Sequence, residues 1–171
     1  MIKKLLVAAL VFLSALTCIV AASASSKDVV ASLDDQSITV ETLTAYVNEV
    51  AGSKYESLLM DKDGLQKLAD FFINRTLLLE YAKKTVKSND MLVVNHNARS
   101  VDEDVMYLTT LLKTEVQDKV FVAQEDISEY MIQNKVESEQ QALQEIESLQ
   151  KTELMSRLVA RVRAGHEIKY F

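Results

Sequence analysis

Proline and tryptophan are absent from this 171-residue sequence, glycine occurs three times and cysteine once. Average usage would place about eight or nine Pro and about a dozen Gly in a chain of this length. Folds built on many tight turns draw on those residues, so sandwiches, barrels and proline-rich linkers are excluded. The scattered glycines form no phosphate-cradling loop. The two histidines, His96 and His166, lie in unrelated segments, and neither has a second His or Cys at metal-ligand spacing. No nucleophile motif accompanies either of them. A helical protein that binds rather than catalyses is what these absences leave, with no cofactor or metal expected.

The first 24 residues read as a secretory signal. Lys3 and Lys4 precede an uncharged apolar run over 5–22, and Ala22-Ser23-Ala24 has the small-x-small form of a cleavage site. The mature chain is then 25–171, exported to the periplasm or beyond, with no stable membrane insertion after cleavage. An uncleaved anchor is the alternative, since about 20 apolar residues can span a bilayer. Lipidation at Cys18 is disfavoured by Leu16 and Thr17 beside it. Cleavage removes Lys3 and Lys4 from the 19 basic residues and none of the 25 acidic ones, so the net charge falls from −6 to −8. Nucleic acid, which needs a basic surface, is excluded as a partner. Cleavage also removes Cys18, so neither a disulfide nor a thiol nucleophile is available to the mature chain. The fold must be held by its core, and a single domain of this size suffices.

Along the mature chain, Val29-Val30-Ala31-Ser32-Leu33 is a β-type run. The polar stretch 34–37 turns it into a small hairpin, and Thr39 then caps a short helix ending near Gly52. A second helical piece is expected around 55–60. Asp63 is available to cap a helix over 65–86, in which Phe71, Phe72, Ile73, Leu77, Leu78, Leu79 and Tyr81 point nearly all round the axis, as in the hub of a core. An amphipathic pattern over about 90–118 follows, with Val94, Ala98, Val101, Val105, Leu108, Leu112 and Val116 at spacings of four and three. If continuous, it makes a helix of roughly 40 Å.

A shorter helix is expected over 124–134, with Ile127, Tyr130 and Met131 on one side. The last helix opens on the capping pattern Ser138-Glu139-Gln140-Gln141 and stops at Gly165. Leu143, Leu154, Leu158 and Val162 share one of its sides, while Ile146 and Leu149 are rotated away, which implies two packing environments or a bend. The terminal His166-Glu167-Ile168-Lys169-Tyr170-Phe171 alternates as a strand does, and the edge of the N-terminal hairpin is its natural seat. The expected fold is therefore mostly α, a helical bundle with a small β-hairpin completed by a C-terminal strand.

The opening run from Val29 through Ser37-Ile38-Thr39 to Leu43 resembles that of the periplasmic chaperones of the SurA, PpiD and PrsA type. There a valine-alanine strand and an asparagine-glycine turn lead into isoleucine-threonine and a helix. Leu68-Ala69-Asp70-Phe71-Phe72-Ile73-Asn74-Arg75-Thr76-Leu77-Leu78-Leu79-Glu80-Tyr81-Ala82-Lys83-Lys84 is similar to that family's second helix. The segment Val120-Phe121-Val122-Ala123-Gln124-Glu125-Asp126-Ile127-Ser128-Glu129-Tyr130 resembles the one that introduces the helix leading to its isomerase domain, and 154–170 its closing helix and strand. The resemblance covers most of the mature chain and implies one SurA N-like domain over 25–171, closed by 138–171. It departs at the turn, where Asp35-Gln36 replaces glycine, and at Ala123, where the family has a capping Ser or Thr. The family's prolyl isomerase insert is also missing. Lys135-Val136 leads directly to Ser138, where a domain would need about 50 residues or more.

What the resemblance implies is an ATP-independent chaperone without isomerase activity, whose clients are unfolded or extended segments of secreted or outer-membrane proteins. Met60, Met91, Met106, Met131 and Met155 suit either an adaptable binding surface or ordinary core filling. Tyr107, Leu111, Tyr130 and Met131 flank the main stripes and are the nominated substrate-binding residues, contact with the terminal helix being the competing reading. Pairs such as Asp102 with Asp104 or Glu125 with Asp126 read as solvated helix surface. The rival function is a dedicated interaction protein gripping one partner or a second copy of itself as a homodimer. A Skp-like holdase ranks below both, because its basic cavity does not suit an acidic chain.

Overall fold

A computed structural model describes residues 29–87 and 102–171. The expected signal segment 1–24, the first part of the expected long helix, His96 and Met91 lie outside the described residues. Strands β1 (Val29–Leu33) and β2 (Gln36–Thr39) form an antiparallel hairpin. Its turn at Asp34-Asp35 places Asp34 at φ 51°, a left-handed conformation that Asp tolerates better than most side chains. A register shift between Val29 and Ala31 breaks the two-residue alternation, so Val30 and Ala31 are both buried.

Strand β3 (Ile168–Tyr170) pairs antiparallel with β1, giving the order β2-β1-β3 with Leu33 opposite Ile168 and Ala31 opposite Tyr170. Asp34 fastens this closure. Its N–H donates to the Glu167 carbonyl at 2.7 Å, and its carboxylate accepts the Glu167 N–H at 2.8 Å and meets His166 Nδ1 at 2.8 Å. The His166 contact first, and the Glu167 N–H second, hold the Asp34 carboxyl below the usual carboxylate range.

Helix α1 (Val40–Tyr46) starts at Thr39, whose hydroxyl accepts the Thr42 N–H at 3.2 Å while the Thr42 hydroxyl accepts the Thr39 N–H at 3.5 Å. A π-helical turn (Val47–Ala51), Gly52 at φ 89° and a 3₁₀ segment (Ser53–Met60) lead to α2 (Lys62–Thr85). Asp61, not Asp63, caps α2, accepting the Gly64 N–H at 2.7 Å. Asp61 is extended at φ −143° and ψ 166°, whereas Asp63 is already inside the first turn. The 24 residues of α2 run about 36 Å and bury Leu68, Ala69, Ile73, Leu77, Leu78 and Ala82. Phe71 departs from the expected hub and is 44% exposed.

Helix α3 (Glu103–Glu115), capped by Asp102, ends at Val116 in a short 3₁₀ turn rather than running to 118. Helix α4 (Gln124–Asn134) begins after Ala123, which has no side chain to cap it. Half of the reciprocal box survives, because the Asp126 carboxylate accepts the Ala123 N–H at 3.2 Å. Helix α5 (Glu139–Arg163) is capped by Ser138 and stops before Gly165 at φ 94°. No described helix is long and apolar enough to cross a membrane.

Helix α5 belongs to two cores. Its second half buries Leu158 and Val162 with α2, α3 and the sheet, and its first half buries Ala142 and Ile146 with Ile127 of α4. Leu143 therefore packs in the second cluster and not with Leu158, and Leu149 is 59% exposed. Arg163 ties α5 to α2 through Asp70 at 3.0 Å and Asn74 at 2.8 Å, and Tyr170 also hydrogen-bonds Asp70. Arg161 reaches Glu115 of α3 at 3.0 Å.

Candidate functional site

Helices α3 and α5 both lie on α2 but touch each other little. Two helices resting on a third with a gap between them leave a groove. Leu78 of α2 is in its floor, Leu108 and Leu112 of α3 form one wall, and Met155 and Val159 of α5 form the other. Each wall pair is spaced i, i+4, which puts both side chains on one helix face. The adjacent residues Leu111 and Leu158 turn about 100° away and enter the core at 1% exposure each.

The groove is an open cleft of about 640 Å³, and a second cleft of about 400 Å³ meets it at Leu112 and Met155 and continues past Val116 to Lys151. At the opposite end stand three aromatics. Phe71 and Tyr55 meet edge to face at 5.8 Å, and the Lys54 ammonium lies 4.9 Å from the Tyr55 ring centre. Tyr46 lines the same end and packs edge-on against Phe72 at 5.5 Å. Burial pushes the Tyr46 phenol up, and the nearby Arg75 charge opposes that shift. The π-helical turn and Gly52 carry Tyr55 back over the start of α2. There Gly64 approaches the Leu58 backbone so closely that a Cβ would lie 2.3 Å from the Leu58 carbonyl oxygen.

The four nominated binding residues are not brought together. Tyr107 is half-buried against the main core, and Leu111 is fully inside it. Leu111 is thus corrected from a cradle residue to a core residue, because the rotation of α3 that exposes Leu108 and Leu112 turns it inward. Tyr130 and Met131 pack in the second cluster, where the Tyr130 hydroxyl donates to Glu145 at 3.0 Å. None of the four lines the groove. The sequence carried one signal for the groove lining, the pairs Leu108/Leu112 and Met155/Val159 beside the buried stripes. Which flank stays open depends on how each helix is rotated on α2. Of the other methionines, Met60 is 83% exposed at the end of the 3₁₀ segment.

Among the described residues no three His, Cys, Asp or Glu side chains are placed to hold a metal ion. His166 is engaged with Asp34 at the clasp. No protein-family model, curated protein or solved structure matches this chain. Its chemistry therefore has to be read from the groove. An apolar trough with aromatics at one end can shelter apolar side chains of a guest chain, each CH₂ withdrawn from water contributing about 0.8 kcal/mol. Each guest side chain it immobilises costs about 0.5–1.5 kcal/mol.

Proposed function

We propose that this protein is an exported, ATP-independent holding chaperone of the SurA-like kind without an isomerase domain, which shelters apolar stretches of unfolded or extended polypeptides. The observation that carries the reading is the open groove between α3 and α5, an apolar surface held apart by helices that are themselves firmly packed. Two further features support it. Strand β3 closes onto β1 beside the core that α2, α3 and α5 share, and α4 passes to α5 within residues 135–138, the point at which the SurA-like family carries its isomerase domain. Met155 in the wall adds an unbranched, adaptable side chain suited to varied guests.

The test is suppression of aggregation of an unfolded client, followed by light scattering. The full-length protein is expected to slow aggregation at near-stoichiometric amounts, and Phe71→Ala combined with Met155→Ser to lose most of that effect while keeping its helical circular dichroism. Equal protection by the variant, or none by the parent across several clients, refutes the proposal.

A second reading, a dedicated interaction protein, is favoured by the surface around α4 and the first half of α5, where Phe121, Ile132 and Leu149 are 78%, 81% and 59% exposed. One dominant species captured from the cell envelope, or a concentration-dependent homodimer by sedimentation, selects that reading. A broad set of captured polypeptides selects the first.

A further inference from the structure

We infer that the groove prefers apolar segments that carry carboxylates, and that Arg75 is the residue that recognises them; this rests on the groove being a polypeptide-binding site. The chain has more acidic than basic residues, 25 against 19, yet among the described residues the ionisable side chains along the two joined clefts, tyrosines aside, are Lys54, Arg75 and Lys151, with no Asp or Glu in the lining. Two other clefts on the surface are different. Glu41 and Glu49 line the one along α1, and Asp63 and Asp70 the one beside Tyr170.

Arg75 stands apart from the other described arginines. Arg157, Arg161 and Arg163 pair with Glu153, Glu115 and Asp70. Arg75 is half-buried at the aromatic end of the groove and, among the described residues, has neither an ion-pair partner nor a side-chain hydrogen bond. A guanidinium partly withdrawn from water and left without an anion is an unfavourable arrangement that a carboxylate relieves, and its planar fork matches a carboxylate in two-point geometry. Lys54 sits at the same end over Tyr55 and adds a second positive charge. Lys151, at the far end, already pairs with Glu147 at 2.9 Å, so selection is concentrated at Arg75.

The net negative charge of the protein does not recruit acidic guests from a distance. At physiological salt it is screened beyond about 8 Å, so the preference is a contact effect that acts once apolar residues occupy the groove. The guest is an extended polypeptide in which an Asp or Glu lies next to bulky apolar side chains.

Fluorescence anisotropy on the full-length protein at physiological salt tests this with three labelled peptides that share one apolar centre and differ in flanking Glu, Gln or Lys. The expected order of affinity is Glu, then Gln, then Lys, with about two- to fivefold between the first two. Arg75→Gln is expected to abolish the Glu-over-Gln ratio, and Arg75→Lys to keep part of it, with circular dichroism confirming that both fold. Lys54→Gln provides a second arm and is expected to reduce the ratio less. Equal affinity for the three peptides, or a ratio unchanged in Arg75→Gln, overturns the inference while leaving the groove a binding site. Failure of all three peptides to bind overturns the proposed function and the inference with it.

Discussion

Leu158 and Ile146 are both buried on α5, one in each of the two cores, and truncating them should have different reach. Leu158 is 1% exposed and sits in the cluster shared by the sheet, α2 and α3. Leu→Ala at such a site costs about 2.7–5 kcal/mol, because the surroundings collapse only partly onto the cavity. Against a total stability of about 5–15 kcal/mol, a loss of about 3–4 kcal/mol lowers Tm by about 6–16 °C for a protein of this size. Ile146 is 9% exposed in a cluster whose other buried members among the described residues are Ile127 and Ala142. Its truncation should cost about 2 kcal/mol, the low end of the range for Ile→Ala, and the opening should stay local. Amide hydrogen exchange on the two variants is the assay. Leu158→Ala should raise exchange throughout α2, α3 and the sheet, and Ile146→Ala only in α4 and the first half of α5. Equal loss of protection in α2 for both variants, or an α4 indifferent to Ile146→Ala, refutes the division into two cores.

Three more outcomes are expected. Gly64→Ala should destabilise by about 1–3 kcal/mol in thermal melts, since overpacking against the Leu58 backbone outweighs the gain of about 1 kcal/mol in helix propensity. Because the Asp34 carboxyl is held low in the folded state, the folded chain binds fewer protons there than the unfolded one. Its stabilisation is complete above the ordinary carboxylate value of about 3.9 and is lost as pH falls below it, so Asp34→Asn should flatten the acid limb of Tm against pH. Tyr170 is shifted the other way, raised first by burial and then by its hydrogen bond to Asp70. Its phenol should titrate above the usual value of about 10, stability should fall as pH rises past that value, and absorbance titration of the parent against Tyr170→Phe checks the assignment.

Much of the fold was legible because the signals were local. The β-branched run at 29–33, the Thr39 cap, the Ser138 cap and Gly165 each act within a few residues, and the structure uses all four as expected. The choice of Asp61 over Asp63 as the α2 cap was not legible, since both are carboxylates near the same helix start and only the extended backbone at 61 decides between them. The division of α5 was half legible. Its apolar residues fell into two registers, but the pattern grouped Leu143 with Leu158, and only the arrival of α4 against the first half assigns Leu143 to the second cluster. The groove was the least legible. Leu108, Leu111 and Leu112 are chemically alike, and the difference between core and lining among them is one rotation of α3.

By itself, the sequence determined a helical chain with an N-terminal hairpin and a strand at the far end, because turn chemistry, capping and apolar periodicity are properties of neighbouring residues. Tertiary structure decided which apolar faces are spent on the core and which stay open, because that depends on where α3 and α5 settle along α2. It also decided that Arg75 lines the groove with no carboxylate paired to it among the described residues, since charge pairing between distant segments is set by packing and not by spacing along the chain.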